Sequence, residues 1–401
     1  MNDDLDRPIP SEITELFGSD AIAEMLRKLD TPYVALNPGS SFRGLHDSLV
    51  NYLGNRDPQM LLCLHEEHAV AIAHGWAKVT GTPLAVILHA NVGVMHASMA
   101  VYNAWCDRVP MLIFGATGPV DAAKRRPWID WIHTSRDQAA IIRPYVKWDD
   151  QPASLEASLS SMLRSSIITQ TAPNAPTYVC FDVSVQEEPI DKMPEFPAPE
   201  RHAAPRMVQF SESDARSVLD LLETSEKPVF LMGRVSRDQA DWDRRVALAE
   251  HFGAGVVTDI KTAAAFPTCH PLHFGAPGYF VSQDAAQRIR QADLVVSFDW
   301  VDLGGTLQQA DVDLERTKVV NISLDSLLTN GWSLDHQSLS PSDLTMLADP
   351  DEAIRAICLA AGLSEMAVGK MAIEAPARPD HRPDAQISID SLSDVLADAL
   401  S

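Results

Sequence analysis

Through the first 185 residues, short apolar runs stop at a polar or glycine break and then give way to helical periodicity. Tyr33-Val34-Ala35-Leu36 runs into Asn37-Pro38-Gly39-Ser40, and Met60 to Leu64 runs into His65-Glu66. Leu84 to Leu88 ends at His89-Ala90-Asn91-Val92-Gly93, and Met111 to Phe114 ends at Gly115. After Glu66 the apolar side chains fall at 69, 72, 73, 76 and 77, the spacing of one helix face. The pattern predicts a buried strand over Met60 to Leu64, with Glu66 at a strand-to-helix turn. An amphipathic helix is expected within residues 11–30, with Ile22, Met25, Leu26 and Leu29 on its apolar face and Ser11 and Ser19 as candidate caps. Pro176 to Val183 reads as the last strand of this half. Strands alternating with helices imply a parallel sheet with crossover helices, whose carboxyl-edge loops line one crevice. Ser40, Glu66 and His89 are therefore predicted to converge.

Between Glu187 and Pro205 five prolines fall in a short polar stretch, the composition of an extended connector. A second β/α set follows, with strands expected at 228–232, 255–258, 294–298 and 318–322, and a helix capped by Ser236 and closed by Gly253. The predicted fold class is α/β, with two doubly wound parallel-sheet domains. The first spans 1–187, a linker 188–205, the second 206–362, and 363–401 a further linker and the start of another unit. That tail holds a proline-rich segment, Pro376 to Pro383, and a short helix opening at Asp390-Ser391-Leu392. The second domain has neither G-x-G-x-x-G nor G-x-x-x-x-G-K-[ST], although Gly233-Arg234 and Asp299 to Asp302 stand at strand ends where ligands bind in such sheets.

Composition narrows the class. A net charge of -23 lacks the basic footprint that phosphate backbones require, which excludes a nucleic-acid surface. No apolar stretch approaches the ~20 residues of a membrane-spanning helix. The acidic amino terminus has no signal-peptide pattern. Five scattered cysteines without a C-x-x-C pair fit a reducing, cytoplasmic setting. His65, His68 and His74 do not make H-E-x-x-H, so zinc chemistry is not expected of them. Lys124, Arg125 and Arg126 read as a solvated cluster, and Trp128 and Trp131 as core, interface or lid.

The segment His65-Glu66 through Gly75-Trp76-Ala77-Lys78-Val79-Thr80-Gly81 resembles the H-E-x(8)-G-[YW]-A-[RK]-x-[ST]-G signature of thiamine-diphosphate-dependent enzymes of the acetolactate synthase and pyruvate oxidase group. Asn37-Pro38-Gly39-Ser40 and Leu88-His89-Ala90 look like the matching segments of benzoylformate decarboxylase. The resemblance implies a pyrimidine-binding first domain and a central second domain. It implies thiamine diphosphate as the electron sink, held near Asn37, Pro38, Gly39, Glu66 and Gly93. Glu66 would hydrogen-bond the pyrimidine N1′ from an apolar pocket that raises its pKa. Ser40 would hold the substrate carboxylate and His89 would move a proton.

Two departures stand beside these matches. His89 to His96 replaces the T-S-G-P-G-A-T-N of many acetolactate synthases, which leans the resemblance toward 2-oxo acid decarboxylases, with acetolactate synthase as runner-up. The family's G-D-G and Asn run for Mg²⁺ and the diphosphate is not found, so those ligands are expected on a further domain or a partner chain. The expected assembly is a homodimer, a homotetramer or a hetero-oligomer with a diphosphate-domain subunit. From a different class comes a non-catalytic or truncated subunit that keeps the fold and dimer surface. Some relatives carry FAD or ADP on the central domain, and the resemblance extends that expectation here.

Overall fold

A computed structural model describes residues 13–275, 277–325, 341–363 and 388–400 of the chain. Its amino-terminal part has strands β1 (Leu16–Phe17), β2 (Tyr33–Leu36), β3 (Gln59–Leu62), β4 (Ala85–Leu88), β5 (Met111–Thr117), β6 (Trp148–Asp150), β7 (Pro176–Asp182) and β8 (Pro189–Ile190). Six form one parallel sheet in the order β3-β2-β4-β5-β7-β6, while β1 and β8 pair antiparallel. The second part has β9 (Pro228–Met232), β10 (Gly255–Thr258), β11 (Leu294–Phe298), β12 (Lys318–Ser323) and β13 (Leu344–Leu347) in a parallel sheet ordered β10-β9-β11-β12-β13. The two parallel α/β sheets agree with the expected fold class.

Alternation along each strand sends side chains to two cores. Ala35, Val86, Leu88 and Ile113 face the helices Glu66–Thr80 and Ala90–Cys106. Val34, Leu36, Ala85, Ile87, Leu112 and Phe114 face the helices Gly18–Lys28 and Leu155–Gln170. Covering on both faces is why β4 is buried throughout and reads as an unbroken apolar run.

Several details differ from the sequence expectations. β3 lies at the sheet edge, so Leu62 is 64% exposed and Leu64 90%, where a buried strand was expected. The first helix starts at Gly18 and is closed by the Asp20 carboxylate accepting from the Phe17 N–H at 2.8 Å. Ser19 is buried inside that helix, accepting from Ser48 Oγ at 2.8 Å, and Ser11 lies outside the described residues. Asp238, not Ser236, caps the helix Gln239–Phe252, because its carboxylate accepts from the N–H groups of Ala240 and Asp241. Gly253 then ends that helix in the left-handed region at φ 58°, as its type allows. A helix covers Ile389–Leu400, and the Pro376 to Pro383 segment lies outside the described residues.

The two parts are fastened by a buried charge cluster at the carboxyl ends of β9 and β11. Arg108, after the Ala90–Cys106 helix, donates from Nη1 to Asp299 Oδ2 at 2.6 Å and also pairs with Asp325. Arg234 donates from Nη2 to Asp325 at 2.7 Å and from Nη1 to the Cys106 carbonyl at 3.2 Å. A Cβ at Gly233 would stand 2.1 Å from the Asp299 carbonyl, so the backbones meet too closely there for any side chain. Arg234 and Asp299 thus contact the first part through the Cys106 carbonyl and Arg108, while Gly233 makes room for the backbone at Asp299.

Candidate active site

Glu66 is the first residue of its helix, reached from the end of β3 through Cys63, Leu64 and His65, and His65 caps that helix by accepting from the Glu67 N–H at 3.1 Å. The side chain turns inward and is 5% exposed. Burial pushes its carboxyl up, but its own backbone N–H, His96 and Asn37 more than offset this, and it lies below the ordinary carboxylate range. The expected raised pKa is therefore corrected: the pocket is buried but supplied with donors. Gly93 closes the other side, where an added Cβ would lie 3.3 Å from both Cγ and Oε1 of Glu66. Any side chain at that position would crowd the carboxylate.

His89 ends β4 and precedes the helix Ala90–Cys106. Ala90 is held at φ 44°, a strained value for a non-glycine residue at this turn. The Ser41 N–H donates to His89 Nδ1 at 3.4 Å, Ser41 Oγ lies 2.9 Å from the same atom, and that oxygen accepts from the Ala90 N–H at 3.1 Å. A ring nitrogen that accepts from N–H carries no proton, so neutral His89 is protonated on Nε2, an assignment made from this network. Burial, and then the neighbouring His133 with ring centroids 4.5 Å apart, push its pKa down from 6.5 to about 4, with Glu66 opposing. His89 is consequently neutral at physiological pH.

The unfolded chain takes up this proton near pH 6.5, whereas the folded chain resists until about pH 4. Stability should therefore rise with pH across that window and fall as acid is added. The NMR titration of the His89 ring should give a midpoint near 4, and an ordinary value near 6.5 would contradict the buried site.

The turn after β2 supplies the third wall. A Cβ at Gly39 would stand 2.3 Å from His89 Cγ, so glycine is required for the turn to reach the imidazole. Gly39→Ala should push the ring off Ser41 and return its titration toward 6.5; an unchanged midpoint would show that the turn yields instead. Ser40 is exposed, and its buried neighbour Ser41 makes the contact with His89. Asn37 reaches Glu66, while Pro38 is exposed at the rim.

Glu66, His89, Gly93 and the 37–41 turn thus meet at one edge of the sheet, as the strand pattern predicts. Sequence reasoning assigned no role to His96, whose Nδ1 is 3.3 Å from Glu66 Oε2, although positions 89, 93 and 96 share a helix face. Nor did it single out Ser41 or His133. His133 belongs to an irregular insertion held by Asp130, which is 1% exposed and pairs with Arg126. Trp128 and Trp131 on that insertion are 72% and 74% exposed, so they are not core residues.

His65, Glu66 and His96 each offer a metal-ligand atom within 4.8 Å of the others. His65 uses Nδ1 on the Glu67 N–H, and the helix amino terminus carries positive partial charge, so the trio favours hydrogen bonding over a cation.

Residues 17–141 match the family described as "Thiamine pyrophosphate enzyme, N-terminal TPP binding domain", and residues 215–357 match its central domain. The chain belongs to the thiamine pyrophosphate enzyme family. It is 24% identical over 283 residues to the acetolactate synthase large subunit of Lactococcus lactis, covering 70% of this chain and 47% of that one. It is 26% identical over 214 residues to benzoylformate decarboxylase of Pseudomonas aeruginosa, covering 52% and 38%. The crystal structure of benzoylformate decarboxylase from Polynucleobacter necessarius shares the fold at TM-score 0.74 and 19% identity, covering 95% of this chain and 68% of that one. The chain spans about half the length of the curated relatives it matches.

Proposed function

We propose that this chain supplies the pyrimidine half of a thiamine-diphosphate site that decarboxylates or carboligates a 2-oxo acid. The observation that carries the proposal is the buried Glu66 carboxylate facing the space left by Gly93, a cradle that a Cβ would fill. That pairing of a carboxylate with unfilled room fits a flat ring bearing a basic nitrogen. When bound, thiamine diphosphate supplies a carbon nucleophile and an electron sink for the carboxylate carbon's bonding pair. Glu66 then holds and exchanges a proton at the pyrimidine nitrogen. Neutral His89 moves a proton on Nε2 to or from the substrate, positioned by Ser41. Ser40, exposed at the turn, is assigned to the substrate carboxylate.

Mg²⁺ and the diphosphate are assigned to another domain or chain. Leu62 on β3, Leu64 just after it and Ile72 on the Glu66–Thr80 helix are exposed apolar side chains, which supports burial of that face in an assembly. At the central strand ends Arg108 and Arg234 pair with Asp299 and line a cavity of about 670 Å³. Titration of the isolated chain with thiamine diphosphate should show weak binding that Mg²⁺ does not strengthen. Tight, Mg²⁺-dependent binding would overturn the half-site assignment. Failure of every diphosphate-domain partner to restore turnover would favour a non-catalytic subunit.

A further inference from the structure

An exposed imidazole stands against the buried Glu66 carboxylate. His96 places Nδ1 3.3 Å from Glu66 Oε2 and is itself 57% exposed along its side chain. Its ring stacks on His65, with centroids 4.9 Å apart and planes 13° from parallel. His65 is fixed in turn by accepting from the Glu67 N–H, so the stack helps to hold the His96 ring beside the carboxylate. Among the described residues no other imidazole hydrogen-bonds to Glu66. A histidine is the residue type for this position, since it takes a proton at one nitrogen while releasing one from the other.

From this geometry we infer that His96 is the proton port of Glu66, connecting the buried carboxylate to solvent. Water protonates Nε2 of the neutral Nδ1–H ring, and the resulting imidazolium passes its Nδ1 proton to Glu66 Oε2, which leaves the ring neutral with its proton on Nε2. In the reverse direction Glu66 returns the proton to Nδ1 and Nε2 releases one to water. No proton is gained or lost by the protein over the cycle. His96 acts through Glu66 and is a positioning and relay residue. The inference deepens the thiamine-diphosphate assignment and rests on it.

Two measurements test it. In long-range ¹⁵N spectra of the chain by itself, neutral His96 should carry its proton on Nδ1, held there by Glu66. The Nε2–H form that free imidazole side chains favour would overturn the inference. In the cofactor-loaded assembly, His96→Asn keeps an N–H donor near the Nδ1 position but relays nothing. Exchange of the cofactor's C2 proton should slow by about 10²-fold in that variant, and added imidazole should restore it through the exposed site. Wild-type exchange in His96→Asn would show a hydrogen-bonding role alone and refute the port. Glu66→Gln separates the two proposals. If it leaves exchange intact, the thiamine assignment itself fails; if it stops exchange while His96→Asn does not, only the port fails.

Discussion

Glu66→Gln should reduce C2 proton exchange in the assembled, cofactor-loaded enzyme by about 10²- to 10⁴-fold, the range that a positioned acid or base contributes. The substitution keeps size and hydrogen-bonding shape in a pocket where Gly93 leaves 3.3 Å to the carboxylate and where Asn37 and His96 already reach it. What it removes is a group that changes protonation state. Unaltered circular dichroism with lost exchange is the expected pair of observations. Exchange at the wild-type rate would take Glu66 out of the chemistry. Because His96 and Asn37 help hold the carboxyl below its ordinary range, His96→Ala should raise the Glu66 pKa, readable by ¹³C NMR of the side chain. A fall would contradict that balance.

The second large effect concerns the junction between the two parts. Asp299 is 2% exposed on its side chain and Arg108 and Arg234 11% each, so the two guanidinium groups are compensated chiefly by Asp299 and Asp325. Asp299→Ala removes one carboxylate and leaves both cations buried beside the other. Breaking a buried pair from one side costs about 3–5 kcal/mol, since the surviving charge loses its partner without regaining water. Much of that loss should appear as uncoupling. Calorimetry of the variant should resolve a lower transition for one part and a second for the other. A single transition at the wild-type temperature would mean that the cluster does not join them. Ser323, which donates to Asp299 Oδ1 at 2.5 Å, links β12 to the same point, so Ser323→Ala should act in the same direction with smaller effect.

Much of the site was legible because parallel α/β sheets gather strand ends. Once the apolar runs ending at Leu36, Leu64 and Leu88 are read as parallel strands, the residues after them share an edge, and Glu66, His89 and the Asn37 turn follow. Register within a turn was not legible. Ser40 and Ser41 are neighbours of one type, and only the backbone path decides that Ser41 is buried on His89 while Ser40 faces outward. The Glu66 pKa was misjudged for a related reason. Burial was foreseeable from an apolar stretch, but the direction depends on donors from positions 37 and 96, brought in by separate loops and helices.

By itself the sequence determined two parallel α/β sheets, the helix beginning at Glu66, and the type of chemistry a carboxylate and an imidazole offer at strand ends. Periodicity and chain breaks are local properties, and local spacing records them. Only the tertiary structure decided that His133 presses on His89, that His96 reaches Glu66, and that Arg108 meets Asp299 across 191 positions of sequence. Those contacts depend on which strands lie side by side and how far each loop travels. No single stretch of residues encodes them, because their energies arise between segments whose meeting is fixed by the packing of the whole chain.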